Sequence, residues 1–541
     1  MADVSTSIAR KLQESFRDFL HESAEMVGGY GFLGDCERQL RELEVGIVRP
    51  FNVAVFGRMK TGKSSLINAL LGKNLAITGV EETTATINVI SRAEDPSMRD
   101  KFTVHWNDRP PETFPLKRLD TDWSGKSQEV VEKVAKTAFI QLYSDDPALA
   151  LHEIIDTPGT DSVVSDHERV AQAFLDPTVQ EGRKADALVY VFGINGRESD
   201  ESNLKNFREG CLPSSCPYNS VGVLHKWDFT YWNSGGDWTE IQSKVERLKD
   251  QMSSVVADII PVSAPIATVA ARADDSDFAA ILDLIGEKKA VTIKELPSEV
   301  AEWDEDFEWH TLWKRFDRDR FGDFPLVSFC VCVREAILLG AGATPEALRT
   351  RLCELGGLDR LRSFLDRNFF KSAALIRQRQ QYARFLRVKD EAYARIQDRQ
   401  EELENDSEKW DELFGLSLSS RPLALWIERK RFRAKTELET LLRKWTEQDS
   451  RFRNSNIKKI LADLDALDWC DSHPDRISDA ELAALRAMAD KLAGDKGVSL
   501  DMNVLRAIKS RFTMLSGGAL DPAGRKHVSW LALRIDALLR M

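Results

Sequence analysis

The 541-residue chain has little of what several large classes of protein depend on. Its seven cysteines are too few and too scattered for a disulfide scaffold or a paired set of zinc ligands, which favours a reducing, cytoplasmic compartment. Basic residues are also too few to balance the acidic ones, since the chain has 75 Lys and Arg and 87 Asp and Glu. The resulting net charge of −12 argues against nucleic acid as the main partner.

Long apolar runs are missing as well. The longest, FPLVSFCVCV, ends at Arg334, whereas a membrane-spanning helix needs about 20 apolar residues. The first 26 residues carry charges throughout, so we expect no secretory leader.

Strand-like and helix-like segments alternate from residue 51 to about residue 265. This alternation predicts an α/β domain with a doubly wound, mostly parallel sheet. Two helices are predicted before it, at 4–26 and 36–47. The predicted strands lie in the segments FNVAVFG, FTVHW, AFIQLY, HEIIDTPG, DALVYVFG, SVGVLHKWD and DIIPVSA.

The residues after this alternating region have helical patterns. Two of the predicted helices are long, at 372–412 and 427–450, and a segment containing Gly415 and Pro422 separates them. We expect an extended all-α stalk. The predicted domains are residues 1–48, helices that contribute to a neck; residues 49–370, the α/β domain with a helical extension; and residues 371–541, the stalk, with a tip at 413–435.

The first strand leads into GRMKTGKSS, which fits the phosphate-binding pattern GxxxxGK[ST] between a strand and a helix. Glycines let backbone N–H groups approach phosphates, and the start of a helix favours negative charge. Lys63 is predicted to reach the β- and γ-phosphates and Ser64 to bind Mg²⁺. The predicted phosphate-loop residues are Gly57, Arg58, Met59, Thr61, Gly62, Lys63, Ser64 and Ser65.

Two further segments fit the chemistry of a nucleotide γ-phosphate. EIIDTPG ends a strand with Asp156, a candidate to hold Mg²⁺ through a water molecule, and with Gly159, whose N–H is placed to sense the γ-phosphate. Between the loop and this segment lies EETTATINVI. There Thr84, with Thr83 as the second choice, is the candidate to close over Mg²⁺ and position the attacking water.

The base is predicted from VLHKWD and DIIPVSA. Asp228 can accept hydrogen bonds from guanine N1 and N2, donors that adenine does not offer, and the Lys226 stem can lie over the ring. The backbone of Ser263 and Ala264 is expected to meet guanine O6. These elements predict a GTPase that uses GTP, GDP and Mg²⁺. His225 stands where Asn or Thr is usual, which is expected to loosen contact with the phosphate loop.

At this point the chain resembles a known family. VFGRMKTGKSSLINALLGKNLA, TTATINVI, IIDTPGTDSV and HKWD resemble the bacterial dynamin-like proteins, and residues up to about 390 resemble their isoniazid-inducible branch. The resemblance implies a dynamin-type GTPase domain at 49–370 that associates with itself, or with a partner dynamin-like subunit, across the nucleotide. It also implies membrane remodelling or tethering.

Two departures from the family pattern bear on catalysis. Thr160 occupies the position that carries a water-orienting glutamine in small signalling GTPases. Lys60 takes the place of a serine that helps dynamins hold a monovalent cation. We hypothesise that its ammonium replaces that cation in catalysis, while Arg58 reaches a facing subunit. The alternative is that both are solvated surface cations.

The segment between the long helices has two interpretations. Its apolar residues, from Phe414 through Leu416, Leu418, Leu423 and Leu425 to Trp426 and Ile427, precede the basic run ERKRFRAK and suit peripheral contact with an anionic membrane at the inner face. They also suit packing against the C-terminal helices, which we favour because the segment is short. The alternative function is therefore a soluble regulatory GTPase that acts on a protein or ribonucleoprotein without membrane contact.

Overall fold

The structure is a computed structural model. It describes residues 4–47, 49–58, 60–76, 86–123, 128–150, 152–157, 185–193, 219–252, 255–287, 312–316, 318–322, 324–340, 342–370, 373–414, 421–454, 476–492, 499–516, 520 and 522–540, with a few positions between 459 and 470. Described residues between 50 and 370 form one compact unit, the sheet unit, and the remainder form a second, the helical unit.

The sheet unit is built on a nine-stranded mixed sheet, in the order β4-β3-β5-β2-β6-β1-β7-β8-β9. Five of the eight strand pairs are parallel, which confirms the predicted mostly parallel sheet. The strands are β1 Phe51–Gly57, β2 Asn88–Arg92, β3 Lys101–Trp106, β4 Glu112–Pro115, β5 Thr137–Ser144, β6 His152–Asp156, β7 Ala187–Phe192, β8 Ser220–His225 and β9 Ile259–Val262.

The centre of the sheet is apolar because it is covered on both faces. Every residue of β1, β7 and β8 is buried, as expected for parallel strands between helical layers. The surrounding helices are Lys63–Leu71, Leu119–Trp123, Gln128–Lys136, Asp228–Asn233, Trp238–Met252, Ala264–Arg272, Asp275–Glu287, Arg318–Phe321, Leu326–Leu339, Pro345–Gly356 and Leu358–Phe364, the last continued by a π-helical turn, Leu365–Phe370.

The helical unit confirms the predicted all-α region. Its helices are Val4–Gly28, Gly34–Gly46, Ala373–Phe414, Arg421–Asn454, Asp479–Leu492, Met502–Leu515 and Pro522–Leu539. The two long helices run antiparallel: Lys389 pairs with Asp449, and the Tyr393 and Thr446 hydroxyls lie 2.9 Å apart. The two long helices share one hydrophobic core with the two N-terminal helices, which contains Phe16, Leu40, Phe385 and Trp445.

The predicted tip is partly wrong. The second long helix begins at Arg421 rather than near residue 427, because Pro422 lies in its first turn, where a missing N–H costs no helical hydrogen bond. Within this helix Trp426 is 58% exposed, so the favoured packing interpretation is wrong for this residue. Residues 415–420 lie outside the described residues.

The segment HVSWLALRIDALL lies in the helix Pro522–Leu539 and packs on the C-terminal core through part of its surface. Leu531 and Ile535 are buried, but Leu533 is 65% exposed. Among the described residues, no helix is long and apolar enough to cross a membrane.

Candidate nucleotide-binding site

The candidate site lies where the parallel strands of the sheet end. Strand register places Val55 beside Asp156, Gly57 beside Val191, and His225 beside Val262. The carboxyl ends of β1, β6, β8 and β9 therefore lie at one edge, the position at which open α/β sheets bind ligands.

The phosphate loop needs glycine at two positions. Gly57 has φ 151°, and a Cβ there would lie 2.5 Å from the carbonyl oxygen of Val191. Gly62 has φ 95° and directly precedes the helix Lys63–Leu71. Only glycine meets both demands, because the conformation is disfavoured for other residues and no space is left for a side chain.

Lys63 lies folded under the loop. It is 7% exposed, and its Nζ donates to the carbonyl oxygens of Gly57 at 3.1 Å and Arg58 at 3.0 Å. Burial lowers its pKa to about 8, against the raising effect of Asp156. Among the described residues, the hydrogen bonds of this ammonium go to neutral carbonyls, and an anionic phosphate would be a stronger acceptor.

Ser64 and Asp156 form a pair beside this lysine. The Ser64 hydroxyl donates to Oδ2 of Asp156 at 3.0 Å, while the buried Oδ1 has no hydrogen-bond partner among the residues that the structure describes. Burial raises the pKa of Asp156 to about 6, although Lys63 and Ser64 act to lower it. A hydroxyl and a carboxylate with an unused buried oxygen fit Mg²⁺, which prefers oxygen ligands and keeps several waters.

The base end is organised around Asp228, which begins the helix Asp228–Asn233 and is 4% exposed. Its Oδ2 accepts a hydrogen bond from the Ser328 hydroxyl and lies 3.5 Å from that of Ser263. Burial raises the pKa of this carboxyl, and the Ser328 hydrogen bond opposes the rise. The backbone N–H of Ser263 is bound to the carbonyl of Gly356 at 3.1 Å.

His225 joins the two ends of the site, so the expectation of a loosened contact is wrong. A Cβ on Gly62 would lie 2.5 Å from Cε1 of His225, which shows that the ring packs directly on the phosphate loop. Its Nε2 accepts the backbone N–H of Ala264 at 3.3 Å. Burial lowers the pKa of His225 to about 3, with Lys226 adding to the effect, so the ring is neutral at physiological pH.

Two lysines at the site adopt left-handed backbone conformations, Lys60 at φ 59° and Lys226 at φ 60°. This conformation costs a residue with a side chain about 1–2 kcal/mol. Both side chains are exposed, so neither is held by the core. Such outliers concentrate at functional sites.

The structure brings most of the predicted residues together, at the two ends just described. Ser65 lies in the third position of the helix after the loop, and the Thr61 hydroxyl donates to the carbonyl of Arg58. Predictions at Met59, Thr83, Thr84, Gly159 and Thr160 lie outside the described residues.

Sequence analysis missed Ser328 entirely. The only trace in the sequence is a hydroxyl within the apolar run FPLVSFCVCV. Its partner is 100 positions away, beyond the reach of any local pattern.

The chain is similar in sequence to proteins of the Dynamin family. Residues 53–226 match the model of the Dynamin family. The isoniazid-induced protein IniC of Mycobacterium tuberculosis is 25% identical over 284 residues, covering 50% of this chain and 55% of that protein. Dynamin-like protein 2 of Campylobacter jejuni is 23% identical over 261 residues, covering 48% of this chain and 38% of that protein.

A solved chain from an oligomerised bacterial dynamin pair, described as sensing and tethering membranes over long range, has a TM-score of 0.34 at 15% identity. That alignment covers 94% of this chain and 62% of the other. The chain spans about half the length, or less, of the curated relatives it matches. The resemblance to bacterial dynamin-like proteins is confirmed by the family match and these relatives.

Proposed function

We propose that this relative of the bacterial dynamin-like proteins is a GTPase that hydrolyses GTP to GDP and phosphate. Residues 49–370 are the proposed GTPase domain, and residues 1–48 and 371–541 the neck and stalk. The observation that carries the proposal is the Ser64–Asp156 pair. Its unused buried oxygen lies beside Lys63, at the same sheet edge as the base-recognition residue Asp228.

In this proposal each described residue has a defined part. Lys63 leaves its two carbonyl partners to neutralise the phosphates, and Ser64 and Asp156 hold Mg²⁺, the latter through water. Bound Mg²⁺ neutralises charge that develops on the phosphate oxygens. Asp228 accepts from guanine and Lys226 covers the ring. The backbone N–H groups of Ser263 and Ala264, which are bound to the Gly356 carbonyl and to His225 in this structure, would exchange those acceptors for O6. The water-positioning role proposed for Thr84 and the phosphate-sensing role of Gly159 rest on the sequence alone.

Hydrolysis is tested with the purified full chain and Mg²⁺. We expect phosphate release from GTP, little from ATP, and loss of activity with EDTA. Turnover that is equal for ATP and GTP would overturn the proposed base recognition.

We further propose that Lys60 supplies a catalytic positive charge when two subunits associate across the nucleotide. Its exposed side chain and strained backbone support this role, because a strained, solvent-facing lysine is available to a bound ligand. Lys60→Ala is expected to lower kcat about tenfold, at protein concentrations that give dimers, with GDP affinity unchanged. Arg99→Ala, an exposed cation on the same unit, is the control. Unchanged turnover in Lys60→Ala would make Lys60 a solvated surface cation.

The proposed output is tethering or remodelling of membranes by the helical unit, at its segment 413–435. Trp426 and Phe432, 58% and 75% exposed, alternate with Arg429, Lys430 and Arg433 on one helix. The Lys430 ammonium lies 5.6 Å from the centre of the Trp426 ring. An exposed tryptophan among cations suits an anionic interface, where each cation adds about 1 kcal/mol.

Co-sedimentation with phosphatidylserine vesicles tests this contact. Trp426→Ser, and separately Arg429→Glu with Lys430→Glu and Arg433→Glu, should each weaken binding. Leu533→Ser is the matched control, because Leu533 is similarly exposed, at 65%, but its neighbour Arg534 is paired with the buried carboxylate of Asp463, whereas Arg433 at the tip is paired with the exposed Glu437. Absence of lipid binding by the wild type would favour the soluble regulatory GTPase, and full binding by both tip variants would reject the tip.

A further inference from the structure

The buried hydroxyl of Ser328 lies on a helix that follows DIIPVSA, the last of the segments predicted to bind the nucleotide. Ser328 is fully buried in the first turn of the helix Leu326–Leu339, with its N–H bound to the carbonyl of Pro325 at 3.0 Å. A serine hydroxyl in a helix commonly points to solvent or bonds to a nearby backbone group. This hydroxyl instead donates to Oδ2 of Asp228.

A second contact fixes the register between the two helices. The Tyr231 hydroxyl donates to Oε1 of Glu335 at 2.7 Å, and Arg351 donates to Oε2 of the same carboxylate at 2.8 Å. Asp228 and Tyr231 are three residues apart on one helix, and Ser328 and Glu335 are seven apart on the other, so each pair lies on one helical face. The Ser328 hydroxyl is therefore held in place by the packing of both helices.

This contact restricts the rotation of the base-recognition carboxylate. A carboxylate offers about four acceptor positions. The Ser328 hydroxyl bonds to Oδ2, and the backbone N–H groups of Asp228 and Phe229 also bond to this carboxylate, so the direction of the remaining acceptor capacity matters for a ligand. Guanine presents two neighbouring donors, N1–H and the N2 amino group, and both are accepted only if the carboxylate plane is correctly turned. Hypoxanthine presents N1–H alone and makes a smaller demand on that orientation.

We propose that Ser328 is a positioning residue for base recognition, which turns the Asp228 carboxylate so that it accepts both guanine donors. The helix Leu326–Leu339 is thereby part of the specificity machinery. The inference rests on the proposed guanine-nucleotide function.

The test compares affinities for GDP and IDP, measured by calorimetry on the full chain with Mg²⁺. Ser328→Ala is expected to lower GDP affinity about tenfold and IDP affinity much less, since loss of orientation removes mainly the second hydrogen bond. Ser328→Thr retains the hydroxyl and should keep the GDP preference within about twofold of the wild type. Cys330→Ala removes a buried atom from the same helix and should leave the GDP-to-IDP ratio unchanged.

Each outcome distinguishes the inference from the function beneath it. A wild type that binds neither GDP nor GTP would overturn the proposed function. A wild type that prefers GDP, with Ser328→Ala lowering GDP and IDP affinity by the same factor, would overturn the positioning role alone. If Ser328→Ala does not fold, Ser328→Cys is used instead, because cysteine has a similar volume but is only a weak hydrogen-bond donor. A ratio of GDP affinity to IDP affinity that stays at the wild-type value in Ser328→Cys would also overturn the positioning role.

Discussion

The two ends of the candidate site satisfy their polar groups in opposite ways. At the phosphate end, the Lys63 ammonium donates to two neutral carbonyls, and one oxygen of the Asp156 carboxylate has no hydrogen-bond partner within the described part of the chain. At the base end, Asp228 accepts from Ser328 and lies within reach of Ser263, both protein hydroxyls. The phosphate end therefore gains the most new polar contacts when a nucleotide binds, whereas the side chains of the base end are already positioned in the nucleotide-free protein. Affinity is expected to come mainly from the first and selectivity from the second.

The largest expected change in GDP affinity comes from removing Lys63, the buried cation at the phosphate end. Lys63→Ala should weaken GDP binding by about 4 kcal/mol, or about a thousandfold, because it leaves phosphate charge unpaired. Calorimetry with GDP measures the loss. Lys73→Ala, at a half-exposed lysine just beyond the same helix, should bind normally. Near-normal binding by Lys63→Ala would remove the phosphate end from its assigned role.

The second prediction concerns the folding stability of the nucleotide-free protein and its dependence on pH. The pKa of Asp156 is about 6 in the folded chain and 3.8 in the unfolded one, so the folded state holds a proton that the unfolded state has released between these values. Folding stability therefore falls as pH rises through this window, by about 3 kcal/mol at about 1.36 kcal/mol per pKa unit. Asp156→Asn should make the nucleotide-free protein more stable at pH 7.5, with about half of that gain left at pH 5.

Urea unfolding of the nucleotide-free protein at the two pH values measures this gain, and Mg²⁺-dependent GDP binding should be lost in the same variant. The control is Asp186→Asn. The Asp186 carboxylate accepts the N–H of Asn52 at 2.9 Å, so its replacement should destabilise. A loss of stability in Asp156→Asn at pH 7.5 would show that this carboxylate is already satisfied.

At the base end, the expected change is in selectivity. Asp228→Asn places an amide donor where guanine also offers donors, so GDP affinity should fall by about a hundredfold. Xanthosine diphosphate, which carries a carbonyl in place of the N2 amino group, should bind better to this variant than GDP does. Competition between the two nucleotides gives the result. A variant that still prefers GDP would mean that another group recognises the base.

The smallest effect is expected where the two ends meet. His225→Asn shortens the side chain that packs on Gly62 and should weaken GDP binding by about 1 kcal/mol, or about fivefold. Because burial holds the pKa of His225 to about 3, the wild type and the variant should show parallel pH profiles between pH 5.5 and 7.5. A histidine-dependent inflection in that range would show that the ring titrates in the site.

Much of this site was visible in the sequence because its chemistry lies at the ends of apolar strands. The phosphate loop follows β1, Asp156 is the last residue of β6 and Asp228 lies three residues beyond the end of β8, so local pattern and strand order together predicted one edge. The strands Asn88–Arg92 and Glu112–Pro115 were not among the predicted strands. Glu112–Pro115 is a short, mostly exposed edge strand that ends in proline, so its pattern is weak. Contacts between distant segments, such as Ser328 with Asp228 and His225 with Gly62, depend on packing that no local pattern specifies.

The buried pair between the two long helices has a mechanical consequence. Lys389 and Asp449 are 7% and 3% exposed, and Tyr382 lies 3.4 Å from the same carboxylate. Sliding one helix past the other by a turn would separate these two buried charges, at a cost of about 3–5 kcal/mol for a broken buried pair. The first of these helices has 42 residues and is about 60 Å long at about 1.5 Å per residue. A force applied at one end of this hairpin is therefore carried to the other end as movement of a stiff rod, not absorbed by slippage along its length.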